Sequence, residues 1–122
     1  MESGKIRIVD TSKSFALRII KMYKYLTEEK REYVLSKQVL RSGTSIGANV
    51  RESQNAQSPA DFLSKLNIAL KEANETQYWL ELLHESDYIT DEHFESINRD
   101  CGIIIGTLIN IVKTTKTNQK IE

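Results

Sequence analysis

The chain has 122 residues, 39% of them hydrophobic and 28% charged, with 17 Lys and Arg balanced by 17 Asp and Glu. That length predicts one domain with one core across residues 1–122, and zero net charge excludes a uniformly basic nucleic-acid binder. The single cysteine, Cys101, excludes an internal disulfide and any multi-cysteine metal site. No apolar run exceeds three residues, Ile103-Ile104-Ile105 among them, far short of the ~20 residues a membrane span needs, so no membrane partner is expected. Met1-Glu2-Ser3-Gly4-Lys5 lacks the apolar stretch of a signal peptide, and a cytoplasmic location is the expectation.

One proline and five glycines, widely spaced, predict a few long helices. Ile6-Arg7-Ile8 is the nearest approach to strand-like alternation and reads as part of a short arm, residues 1–10. The first helix is expected to begin after Asp10, Thr11 or Ser12, all good N-cap types, and to end near Thr27-Glu28-Glu29. Phe15, Ile19, Met22 and Leu26 form its buried stripe, while Lys13, Lys21 and Lys24, with Arg18 beside them, lie on another face. The second helix, about 31–56, carries Leu35, Val39, Ser42, Ile46, Asn49, Val50 and Ser53 inward. Gly43 and Gly47 sit one turn apart within it. Each costs about 1 kcal/mol relative to Ala, so the pair predicts close approach of another backbone or a bend.

Ser58-Pro59-Ala60-Asp61 is the clearest boundary: an N-cap, a proline at the first helical position and an acid in the first turn. The third helix then runs to about 86 with Phe62, Leu66, Ala69, Ala73, Thr76 and Leu80 inward. It bears a second stripe of Ile68, Glu72, Glu75, Trp79 and Leu82, and two stripes call for two partners. A half-exposed aromatic lying along its own surface and a subunit interface are the two readings of Trp79; the interface is preferred, since Trp is enriched there. Thr90 should cap the fourth helix, whose core stripe is Phe94, Ile97, Cys101, Ile104, Ile105, Leu108, Ile111 and Val112. Lys113, Lys116 and Lys120 suit its negative end, with fraying expected over 118–122. Four helices with short connections predict an all-α, antiparallel, up-down-up-down four-helix bundle.

Residues that carry chemistry are sparse. Glu81-Leu82-Leu83-His84 has the Glu-x-x-His spacing of di-iron bundles, but the second copy and the two further glutamates that such a site needs are absent. Cys101, on an apolar stripe, reads as a buried structural thiol. Neither nucleophile motifs nor phosphate-cradling glycine loops occur. No arginine precedes His84 or His93 at the spacing used by RNA-cleaving helical bundles. No catalytic residue, cofactor or metal is therefore expected, and the chain is not read as an enzyme. Ser45, Asn49 and Glu52 share one side of the second helix as a polar network or as a ligand contact, the structural reading being preferred.

Charge is unevenly distributed. Residues 1–57 hold 11 Lys and Arg against 6 Asp and Glu, a net of +5; residues 58–122 hold 6 against 11, a net of −5. A two-sided surface of this kind suits phosphates on one face or head-to-tail self-association. Arg18, Lys21, Lys24, Lys37, Arg41, Arg51, Lys113 and Lys116 are the candidate RNA or DNA contacts.

The run Gln38-Val39-Leu40-Arg41-Ser42-Gly43-Thr44-Ser45-Ile46-Gly47-Ala48-Asn49-Val50-Arg51-Glu52 resembles the signature of the bacterial four-helix bundle proteins, also called 23S rRNA intervening-sequence proteins. Asp61-Phe62-Leu63 through Leu66–Thr76 to Tyr78-Trp79-Leu80 is similar to the family's second block. Ser14-Phe15-Ala16, Arg18-Ile19 and the Lys113–Lys116 tail resemble its ends. The resemblance implies a left-handed bundle assembling as a ring-like homopentamer. Some members are encoded within intervening sequences of large-subunit rRNA genes. A related branch, the accessory proteins of diversity-generating retroelements, forms a basic pentameric barrel that binds nucleic acid and a reverse transcriptase. Those proteins are strongly basic, whereas this chain is neutral. Two functional expectations follow: an oligomeric scaffold that binds RNA or DNA through repeated basic patches, or a pentamer that docks a protein partner.

Overall fold

The computed structural model describes the backbone of residues 4–121 and the side chains of residues 7–118. Its helices are α1 (Gly4–Glu28), α2 (Leu35–Ser53), α3 (Pro59–Glu85) and α4 (Asp91–Ile121), with no strand among the described residues. α1 packs on α2 and α4, and α3 packs on the same two helices, enclosing one core. Contacts run in opposite chain order within each neighbouring pair. Ser42 meets Thr76 while Glu52 meets Lys65; Arg18 meets Asp100 while Tyr25 meets His93.

The inward stripes carry the packing. Phe15, Ile19, Met22 and Leu26 of α1 are buried, as are Val39, Ser42, Ile46, Val50 and Ser53 of α2. Leu66, Ala69, Ala73, Thr76 and Leu80 of α3 join Ile97, Cys101, Ile104, Leu108 and Val112 of α4. Each large aliphatic or aromatic side chain so buried is worth about 1.5–3 kcal/mol, which outweighs the cost of Gly43 and Gly47. Both glycines mark close approach. A Cβ on Gly43 would meet Ile19 Cγ1 at 2.8 Å, and one on Gly47 would meet the Ser12 carbonyl oxygen at 3.3 Å.

Four boundaries differ from the sequence expectation. α1 starts at Gly4, so residues 4–10 are helix and not an extended arm. Ile8 and Ser12, both buried, extend the Phe15 stripe backwards by two turns. Thr11 and Ser12 do not cap a helix end; their hydroxyls donate to the carbonyls of Arg7 at 2.7 Å and Val9 at 3.2 Å inside the helix. Met1–Ser3 lie outside the described residues. α2 is shorter than 31–56 because Arg31 takes φ 54°, outside the right-handed helical region. At its other end, residues 54–56 close with N–H bonds to carbonyls three residues back. α4 continues as helix to Ile121, through most of the tail expected to fray; side chains beyond 118 lie outside the described residues.

Turn chemistry explains how α1 passes into α2. Beyond Arg31, the Glu32 N–H reaches back six positions to donate to Leu26 O at 2.9 Å, tying the turn to the end of α1. The Glu32 carboxylate, 8% exposed as a residue, then accepts N–H bonds from Val34 (3.1 Å), Leu35 (2.9 Å) and Ser36 (2.6 Å), capping α2. At α3 the Ser58 hydroxyl accepts the Asp61 N–H at 3.0 Å, with Pro59 at the first helical position, as the sequence predicts. The Thr90 hydroxyl likewise accepts the His93 N–H at 3.1 Å at the start of α4.

Candidate nucleic-acid interface

Of the eight candidate cations, two are committed to partners within the chain. Arg18 on α1 donates to Asp100 at 2.6 Å and to Ser96 at 3.1 Å, both on α4. Both members of the ion pair are about two-fifths exposed, so the pair adds at most about 1 kcal/mol and serves mainly to fix the guanidinium. Arg41 on α2 bridges Glu72, at 3.4 Å, and Glu75 on α3. Lys21, Lys24, Lys37, Arg51, Lys113 and Lys116 are exposed, with no ion pair among the described residues.

The Arg41 bridge divides the second stripe of α3. Glu72 and Glu75 are turned to α2, whereas Ile68 is 39% exposed, and Trp79 and Leu82 are half-buried. Trp79 packs on the core edge with its ring centroid 5.2 Å from that of Tyr78. Its indole Nε1 is buried and has no hydrogen-bond partner among the described residues. Ser45, Asn49 and Glu52 are not joined into one network. Ser45 Oγ donates to Arg41 O at 2.7 Å, Asn49 Nδ2 donates to Ser45 O at 2.9 Å, and Glu52 pairs with Lys65 at 3.4 Å.

Sequence periodicity does not reveal the grouping at the other seam. Between α1 and α4 lies a cleft of about 370 Å³ lined by Arg18, Lys21, Met22, Tyr25 and His93. The Tyr25 and His93 rings meet edge to face, with centroids 6.5 Å apart at 67°. Lys30 Nζ lies 6.0 Å from the Tyr25 ring centre. Burial, and then the nearby Arg18 charge, hold His93 below its ordinary pKa of 6.5, so the ring is neutral at pH 7. The other histidine, His84, contacts Asp91 at 2.6 Å and stacks on Phe94, linking the end of α3 to the start of α4.

Reactive chemistry is not assembled elsewhere among the described residues. Burial, and secondarily Asp100, push the Cys101 thiol up to about 12, where the nucleophilic thiolate is scarce near neutral pH. Its Sγ lies 3.4 Å from the Ala73 carbonyl oxygen. No cluster of three metal-ligating side chains occurs among the described residues, and no helix is long and apolar enough to cross a membrane.

A family model for the 23S rRNA-intervening sequence protein matches residues 4–110. The chain belongs to this family. It is similar to a crystal structure of a protein of unknown function from the S23 ribosomal protein family of Bacteroides thetaiotaomicron VPI-5482. The two share 58% sequence identity and a TM-score of 0.90, over 91% of this chain and 99% of that one. No curated protein matches the chain. The residues that signal the 23S rRNA-intervening sequence family in α2 are largely packing residues. Ser42, Gly43, Ile46 and Val50 are buried, and Gly47 abuts the α1 backbone.

Proposed function

We propose that the chain is a non-enzymatic cytoplasmic scaffold, an up-down-up-down bundle that forms a ring of five copies and holds RNA or DNA through repeated basic patches. The observation that carries the nucleic-acid part is the set of exposed, unpaired cations. Lys21 and Lys24 sit on α1, Lys37 and Arg51 on α2, and Lys113 and Lys116 on α4. The opposed chain order of contacts between neighbouring helices supports the up-down topology. Self-association draws support from apolar side chains left in water: Leu17 is 58% and Ile103 55% exposed, with Ile20 and Ile109 also on the surface. The ring itself is what the family resemblance implies. Five modest patches raise avidity without a strong single site.

Labelled RNA and DNA should bind with an affinity that falls about tenfold or more between roughly 50 and 200 mM salt, as counterion release requires. Light scattering on the same samples should give the mass of five chains. A flat salt response, or no binding at low salt, overturns the nucleic-acid part; a monomeric mass overturns the ring.

A second reading, docking of a protein partner without nucleic acid, is favoured by one surface. Ile68 and Tyr78 are exposed on α3 and flank the half-buried Trp79, leaving an apolar strip that a partner could cover.

A further inference from the structure

We infer that the cleft between α1 and α4 is a binding site for a single nucleotide unit, its phosphate held by Lys21 and Arg18 and its base lying against Tyr25 and His93. The inference rests on the nucleic-acid part of the reading above and locates it. The candidate cations are spread over three helices, and the residues lining this cleft combine two of them with two aromatic rings.

Arg18 is held in advance. Asp100 fixes Nη1 and Ser96 fixes Nη2, so the guanidinium loses little freedom when an anion reaches its remaining N–H groups. Lys21 is exposed and has no carboxylate partner among the described residues, so its charge is available at the cleft mouth. No carboxylate lines the cleft. Tyr25 and His93 form two walls at a steep angle, and Met22, buried, supplies an apolar floor. One wall offers a ring face and the other an edge, an arrangement that takes any planar base without reading its identity. A volume of about 370 Å³ lies within the range of small-ligand sites, about 300–1,000 Å³. Neutral at pH 7, His93 behaves there as an aromatic wall and not as a third cation.

A nucleotide reaches such a site either free in solution or as one residue of a single strand. The test uses the purified 122-residue protein. Three probes are titrated: a labelled single-stranded oligonucleotide, a labelled adenosine monophosphate and inorganic pyrophosphate. Lys21→Gln should weaken all three by several-fold. Tyr25→Leu should weaken the two base-bearing probes about tenfold and leave pyrophosphate unchanged, while Tyr25→Phe keeps wild-type affinity. Melting curves identify folded variants; Lys21 is exposed, so Lys21→Gln remains interpretable if Tyr25→Leu unfolds.

Strand binding with no free-nucleotide binding, lost in Lys21→Gln, supports the cleft as a strand site; binding of both supports a nucleotide site open to either source. Strand binding unchanged by Lys21→Gln and by a folded Tyr25→Leu but reduced by Lys37→Gln or Arg51→Gln overturns the cleft while leaving the broader reading intact. Free-nucleotide binding lost in Lys21→Gln, with no strand binding at low salt, keeps the cleft and removes the broader reading. Equal pyrophosphate and nucleotide affinities, both insensitive to Tyr25→Leu, overturn the base contact.

Discussion

Gly43 and Gly106 show that the same residue type has opposite meanings on two helices. A methyl group at Gly43 would press on Ile19 at 2.8–2.9 Å, whereas one at Gly106 meets nothing within 4 Å. Overpacking costs about 1–3 kcal/mol, against about 1 kcal/mol gained in helix propensity. Gly43→Ala should therefore lower stability by roughly 1–2 kcal/mol, read as a lower urea midpoint at unchanged m-value. A midpoint equal to or above wild type would show that Ile19 moves aside freely. Sequence spacing marks Gly43 and Gly47 as places of close approach or of a bend, because a costly residue recurring one turn on needs a reason, and the structure shows close approach. The partners were not legible, since Ile19 and Ser12 lie on another helix. The same limit applies to the basic residues: Arg18 and Arg41 read as free cations until Asp100, Glu72 and Glu75 are brought across from α4 and α3.

At the scale of elements, Glu32 joins two helices. Its N–H closes the end of α1 on Leu26, and its carboxylate caps three N–H groups at the start of α2. Glu32→Ala should cost about 1–3 kcal/mol, since buried donors lose their acceptor. Amide exchange should accelerate first at Leu35 and Ser36; unchanged protection there would remove the capping role. Helix caps at Ser58 and Thr90 were legible because each stands immediately before its helix, where a short hydroxyl reaches the first-turn amides. Glu32 escaped the same reading. It lies two residues before the Val34 cap position, and only the left-handed turn at Arg31 swings its carboxylate onto those amides. The opposite error occurred in α1, where Asp10-Thr11-Ser12 has the composition of a start signal. The buried Ile8 and Ser12 outweigh it, and the hydroxyls turn back onto their own helix.

For the molecule as a whole, the opposed charges of the two halves are partly consumed internally. Arg41 with Glu72 and Glu75, and Arg18 with Asp100, join cations of the basic half to carboxylates of the acidic half, whereas Lys65 with Glu52 joins the halves with the signs reversed. Trp79 lies where α3 presents its remaining apolar surface; if the proposed ring joins its subunits there, Trp79→Glu should give smaller particles by light scattering while circular dichroism stays helical. An unchanged mass would place the subunit contact elsewhere. The amphipathic periods made the single core legible; which apolar side chains stay exposed was not, because Leu17 or Ile103 looks the same in sequence as a buried residue.

Deep between α2 and α3, Thr76 Oγ1 lies 2.8 Å from Ser42 Oγ and 2.7 Å from the Glu72 carbonyl oxygen. A hydroxyl has one proton, so Thr76 can give it to the Glu72 carbonyl and accept the proton of Ser42. Leucine-rich helices slide past one another at little cost, since one aliphatic contact replaces another. Moving α3 by one turn, about 5.4 Å, would instead take from the Ser42 hydroxyl its acceptor on α3, at about 1–3 kcal/mol. Such a pair adds little strength. It acts as an index mark, favouring the alignment of α2 on α3 in which the Arg41 bridge also forms.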